Sequence, residues 1–204
     1  MVEWKTRKRG SPRQKGLKFP VKASRQITLS EALKSSQRIR TKVRVFDFTK
    51  KGVNERFVRD SIRKLLKIGV RKIGIKPRKI DVIIEDDRDS GEQVTDSSGE
   101  VTIYLSGKDW RNRKFLAAAL HELGHELFEA MFALKDMIQG KKLKKWTHYH
   151  KKALELDRDI LKTLIKRSMV TVTEDWLTGE KMIAIQSHVG QQLYPYEWIK
   201  QLKK

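Results

Sequence analysis

The chain of 204 residues contains no cysteine, so disulfide bonds and cysteine-ligated zinc sites are both excluded. It also lacks an apolar run of the roughly 18 residues that a membrane-spanning helix needs. The first 20 residues are basic and have no apolar segment of the kind found in secretory signals. These absences predict a soluble, intracellular and cytoplasmic protein without a membrane span.

Acidic residues are scarce beside basic ones: 25 Asp and Glu stand against 46 Lys and Arg, a formal net charge of +21. Such a surface attracts polyanions, so non-specific contact with nucleic acid is one candidate interaction, and an ordinary solvated surface is the alternative. Residues 1–25 carry nine of the cations and one acidic residue. This composition predicts a basic flexible arm at 1–25, followed by one folded domain at 26–204.

Histidine is rare too, with five residues, yet His121 and His125 stand with Glu122 in a His-Glu-x-x-His motif. On a helix, positions i and i+4 share one face, so the two imidazoles can bind one metal ion. Glu122 can reach a water in the metal's open position and take its proton. The apolar pattern around the motif predicts a largely buried helix, capped by Asp109 and ended near Gly140.

The motif resembles the active-site helix of the zincin metallopeptidases, and Glu155 with Asp159 extends the resemblance to gluzincins such as the HtpX-like peptidases. It implies an α+β, zincin-like fold, in which a small, mostly antiparallel sheet packs on the active-site helix and a second helix bears the third ligand. It further implies zinc bound by His121, His125 and Glu155, with Asp159 holding a ligand histidine. The implied activity is peptide-bond hydrolysis, with Glu122 as general base.

Two other histidines, His148 and His150, compete with Glu155 for the third-ligand role. They lie where the second helix is expected to begin, and SprT-like proteases complete a three-histidine site from that position. On the second helix, the spacing puts Glu155 and Asp159 on one face and Asp157 on another. Three further functions stay open: an SprT-like protein or an ImmA/IrrE-like protein acting on DNA-bound partners, and a zinc-binding protein without catalytic activity.

Residue patterns predict the remaining elements. Strands are expected at 42–48, 80–85 and 100–105, and the last two should pair across a turn-like segment. By the zincin resemblance, strand 101–105 would edge the substrate cleft, and an interior strand is the alternative. A helix from Glu55 should end at Gly69 and present a basic face. Further helices are expected at 27–40 and 174–189, with an extended piece at 169–173 between the second helix and the last one.

Near the end of the chain, His188, Tyr194 and Tyr196 are candidates for stabilising an oxyanion or for core packing.

Overall fold

A computed structural model describes residues 40–167, 169–174 and 178–196. The α+β class expected from the sequence is confirmed. In chain order the elements are β1 (Lys42–Asp47), α1 (Glu55–Ile73), β2 (Lys79–Glu85), β3 (Glu92–Thr95), β4 (Glu100–Ser106), α2 (Gly107–Arg111), α3 (Leu116–Ile138), α4 (Trp146–Lys166), β5 (Thr171–Glu174), β6 (Lys181–Ser187) and β7 (Gly190–Pro195). The basic arm predicted at 1–25 and nearly all of the helix predicted at 27–40 lie outside the described residues.

The first sheet has the strand order β1-β2-β4-β3, and its central pairs are parallel rather than antiparallel. Strands β2 and β4 do pair, as expected, but they are parallel. The chain between them forms β3, which runs antiparallel to β4. The segment predicted as a turn therefore contains the antiparallel edge strand. The expectation of a mostly antiparallel sheet is wrong for this sheet, and β4 is an interior strand.

Helix α1 begins where expected, because the Asn54 side chain accepts a hydrogen bond of 3.0 Å from the backbone N–H of Phe57. It ends at Gly74 in the left-handed conformation, five residues beyond the predicted stop at Gly69. Gly69 instead allows close packing, since a Cβ there would lie 2.6 Å from the Met131 sulfur on α3. The predicted end was wrong because glycine here serves helix contact rather than termination.

Helix α3 carries the His-Glu-x-x-His motif through the centre of the core and is buried along most of its length. Gly124 within the motif lies against α4: a Cβ there would meet Ile160 Cδ1 at 2.2 Å. This close approach brings α4 beside the motif. The predicted cap, Asp109, lies in α2, where its carboxylate accepts a hydrogen bond of 2.8 Å from the His188 backbone N–H instead.

The second sheet, β5-β6-β7, is antiparallel and replaces the helix predicted at 174–189. The expected extended piece at 169–173 corresponds to β5. Strand β6 packs Ile183 and Ile185 into the core beside α3, and β7 then returns along β6 towards the motif. This sheet brings Tyr194 to the site. Among the described helices, none is long and apolar enough to cross a membrane.

Candidate metal centre

His121 and His125 lie one turn apart on the same face of α3, and both are buried, with 3% and 6% of their surface exposed. Their ring centroids are 6.1 Å apart. Polar rings are seldom buried without partners, so their surroundings indicate what they do.

His125 is held by groups from two helices. Its Nδ1–H donates to Asp157 Oδ2 on α4 at 2.6 Å, which leaves Nε2 facing Glu129 Oε1 and His150 Nδ1, each 2.7 Å away. Burial would lower the pKa of His125, but the hydrogen bonds to Asp157 and Glu129 outweigh it and raise that pKa to about 10.

Three ligand atoms meet at this point. Glu129 Oε1 also lies 2.8 Å from His150 Nδ1, so His125, Glu129 and His150 form a closed triangle of donor atoms. Nitrogen and oxygen donors so arranged, in a partly buried position, could hold a metal ion. Glu129 is fully buried, and its second oxygen, Oε2, has no hydrogen-bond partner in the described part of the chain.

His121 occupies the other side of the centre. Its Nε2 lies 2.9 Å from the Tyr194 hydroxyl on β7, and its Nδ1 lies 4.0 Å from Asp157 Oδ2 without a hydrogen bond among the described residues. Burial, opposed by the Asp157 charge, lowers the pKa of His121. The imidazole is therefore neutral, the form that binds metals.

The Glu122 side chain points to the edge of the first sheet. Its Oε1 accepts a hydrogen bond of 2.9 Å from the backbone N–H of Gly91, just before β3. A Cβ at position 91 would lie 2.8 Å from both Cγ and Oε1 of Glu122 and 2.9 Å from Cγ of Glu126. Only glycine fits between the strand and these two carboxylates without displacing them.

A cleft of about 420 Å³ lies between α3, α4, β7 and the segment just before β3. Its walls include His121, Glu122, His125, Glu126, His150 and Tyr194.

Burial, together with the Glu129 and Glu122 charges, raises the pKa of Glu126 to about 8. Burial likewise raises the pKa of Tyr194, with the Asp157 and Glu122 charges adding to it, so the hydroxyl keeps its proton and can donate.

The structure does not bring the expected third ligand to this cleft. Glu155 is exposed on α4, two residues before the fully buried Asp157 and so on nearly the opposite side of the helix. Asp159, the expected partner of a ligand histidine, instead lies 4.0 Å from the Lys72 Nζ. Of the two alternative ligands, His150 reaches the centre, whereas His148 contacts the Tyr149 ring and does not line the cleft.

Asp157 and Glu129 were missed as site residues, although α4 contained a signal for Asp157. The buried face of α4 runs through Ala153, Asp157, Ile160, Leu161 and Leu164, so one carboxylate interrupts an otherwise apolar stripe. His150 lies on the same side, two turns before Asp157. A charged residue at a core position of a helix is a sign of a paired or metal-associated group.

Comparisons with protein-family models, with curated proteins and with solved structures found no match for this chain.

Proposed function

We propose that the chain is a zinc-dependent metallopeptidase whose zinc is bound by His121, His125 and His150. The observation that carries the proposal is that these three imidazoles and the Glu122 carboxylate open onto one cleft. Three protein ligands with an open fourth position are the pattern of catalytic rather than structural zinc. This ligand set replaces the His121, His125 and Glu155 set implied by the gluzincin resemblance.

Donor atoms of His125, Glu129 and His150 lie close enough together to hold a metal ion, and the proposal adds His121 from the same cleft. Asp157 receives the Nδ1–H of His125, so Nε2 of that ring is left to bind the ion. Such a partner orients the ring and raises its basicity as a ligand. The free Nδ1 of His121 and the unpaired oxygens of Glu129 and Asp157 are buried polar atoms that a cation would compensate electrostatically.

Zinc bound there would supply a Lewis acid that polarises the substrate carbonyl and lowers the pKa of an attacking water. Glu122 would take the proton from that water and pass it to the leaving amine, as a general base and then a general acid. The Gly91 N–H fixes the Glu122 carboxylate at the mouth of the cleft. Because that hydrogen bond uses one oxygen, Oε1, the other remains for the water.

The Tyr194 hydroxyl donates to Gln192 Oε1 at 3.1 Å and lies 2.9 Å from His121 Nε2, so it would suit the role of oxyanion donor by exchanging Gln192 for the substrate oxygen. A peptide substrate can pair its main chain with the outer edge of β3, which no described strand covers. A second hollow of about 100 Å³, with Trp110 and Ala118 in its walls, is also lined by Gly91 and Glu122. It offers space for a side chain of a peptide bound beside Glu122.

The direct test is cleavage of a mixed peptide library by the zinc-loaded protein, read by mass spectrometry. Cleavage that stops when a chelator removes zinc, and returns when zinc is restored, is the expected result. A zinc-loaded protein that cleaves nothing in such a library would favour the non-catalytic zinc-binding alternative.

Gly91→Ala is expected to reduce kcat by about 10- to 100-fold, because misplacing a catalytic group by about an ångström has effects of this size. The added Cβ would push against Cγ and Oε1 of Glu122, 2.8 Å away. Zinc content and thermal unfolding, measured on the same sample, should stay close to wild type. Normal kcat in this variant would show that the Gly91–Glu122 contact does not position the base.

Nucleic-acid contact is a second candidate function, and one surface feature favours it. A groove beside α1 is lined by Arg40, Arg63, Lys67, Arg71 and Lys76. Within the described residues, Lys67, Arg71 and Lys76 form no ion pair, so their charges are available to phosphates. This groove is separate from the cleft that contains Glu122.

The double variant Lys67→Glu/Arg71→Glu is expected to weaken retardation of duplex DNA and to flatten its salt dependence. Each lost phosphate contact should lower the slope of log affinity against log salt by about 1. The matched control, Lys162→Glu/Lys166→Glu, makes the same charge change on α4. Equal weakening by both pairs would indicate a general charge effect, and no retardation even at low salt would exclude the interaction.

A further inference from the structure

Glu126 is a buried carboxylate that the proposed chemistry does not use. Only 7% of its surface is exposed, and that surface faces the cleft. Among the described residues it has no hydrogen-bond or ion-pair partner. A buried carboxyl group without a partner among the described residues loses hydrogen bonds that water would otherwise provide.

The neighbouring carboxylates differ from Glu126 in this respect. Glu122 accepts the Gly91 N–H, Glu129 contacts two imidazoles, and Asp157 receives the His125 N–H. Each of the three is therefore accounted for by the metal centre or the general base. Of these four carboxylates, Glu126 is the one without a hydrogen bond or ion pair to a described residue.

The position of Glu126 relates it to the path of a substrate. It lies one helical turn after Glu122 on α3. Gly91 contacts both side chains, since a Cβ built on Gly91 would lie 2.8 Å from Cγ of Glu122 and 2.9 Å from Cγ of Glu126. Gly91 leads directly into β3, whose outer edge no described strand covers. A peptide paired with that edge would present alternate side chains towards α3, and one of them would reach Glu126.

We propose that Glu126 determines specificity by binding a cationic side chain, Lys or Arg, of the peptide substrate near the scissile bond. The inference rests on the proposed function, since it takes this cleft to be the peptide-binding site. The long stems of Lys and Arg can cross apolar wall such as Leu154 and deliver the charge to a recessed carboxylate. An ammonium or guanidinium group supplies the charge-assisted hydrogen bond that Glu126 lacks.

The net charge of +21 does not oppose this contact at short range. Exposed charges beyond roughly 8–10 Å are largely screened at physiological salt, whereas a partly buried pair is screened much less. Binding at Glu126 is thus governed by the four carboxylates in and around the cleft. An acidic side chain at the same substrate position would be repelled, which adds discrimination against acidic peptides.

The test uses the full-length, zinc-loaded protein carrying Glu122→Gln, so that peptides bind without being cut. Fluorescent alanine-rich peptides are compared in pairs that carry Lys or norleucine at one position, scanned along the peptide, by anisotropy. At one position Lys should bind about tenfold tighter or more, the usual size for a hydrogen bond to a charged group. Adding Glu126→Gln should bring that ratio close to one.

Glu155→Gln is the matched control, because it removes the same charge from an exposed carboxylate on α4 that does not line the cleft. It should leave most of the Lys preference, and an equal loss in both variants would mean that Glu126 makes no specific contact. Zinc content is measured on each protein. Loss of zinc on Glu126→Gln would make Glu126 a metal-site residue and overturn the proposal.

The outcomes distinguish a failure of the Glu126 inference alone from a failure of the proposed peptidase function. If the protein with Glu122 intact cleaves library peptides at sites without a Lys or Arg at a fixed position, the inference fails and the peptidase stands. If no peptide is cleaved and none binds the Glu122→Gln protein, both fail together. A Lys preference that survives Glu126→Gln also contradicts the inference, whatever the cleavage result.

Discussion

Glu122→Gln is expected to abolish peptide cleavage while zinc stays bound. The amide cannot take a proton from water, and loss of a positioned general base typically costs about 10²- to 10⁴-fold in rate. The substitution is nearly isosteric, and the Glu122 carboxylate is directed to the Gly91 N–H rather than to His125 and His150. The kcat of the purified variant, measured with its zinc content, gives both halves of the result.

Glu155→Gln is the matched control for that experiment, since it makes the same chemical change at an exposed position of α4. It should retain wild-type kcat. If Glu122→Gln cleaves as fast as wild type, Glu122 is not the base. If that variant loses its zinc as well, its inactivity says nothing about proton transfer, and its zinc affinity must be compared at saturating zinc.

His150→Ala and His121→Ala are each expected to weaken zinc binding severely, whereas Glu155→Ala should leave it unchanged. Removing a ligand should cost more than the roughly 10- to 100-fold that loss of a partner behind the ligand costs. Asp157→Asn removes such a partner, the carboxylate at 2.6 Å from His125 Nδ1, and should fall in that smaller range. Competition titration against a chelator of known affinity measures all four variants.

The same titration distinguishes two arrangements of the metal. The proposed set uses His121, while the closed triangle of donor atoms uses Glu129 together with His125 and His150. If His121→Ala keeps full affinity and Glu129→Gln loses it, the metal binds within the triangle. If Glu155→Ala is the damaging variant, the gluzincin-type ligand set of His121, His125 and Glu155 is right.

The local features of this fold were predictable because neighbouring residues determine them. The strand at 42–48, the start of α1 at Asn54 and the helix around His121 follow from alternation, capping and helical spacing. The close approach at Gly124 also has a local signal, because glycine is unfavourable inside a helix unless close packing requires it. None of these requires knowledge of distant parts of the chain.

Features that depend on distant residues were not predictable in the same way. Strands β2 and β4 run parallel because the short strand β3 between them reverses the chain direction. Helix α1 continues past Gly69, the predicted end, because this glycine packs against Met131 on α3. On α4, the choice between Glu155 and Asp157 depends on which face meets α3. The apolar stripe on both sides of Asp157 indicates that Asp157 faces α3. The spacing of Glu155 and Asp159, which matches the gluzincin pattern, instead favoured the face that carries Glu155.

The central claim is that His121, His125 and His150 form a zinc site. Elemental mass spectrometry of the wild-type protein, purified without chelator or a nickel affinity step, tests it most directly. Close to one zinc per chain is the predicted result, and the His150→Ala protein prepared in parallel should contain little. A wild-type protein that contains no zinc, and takes up none when zinc is added, would contradict the account.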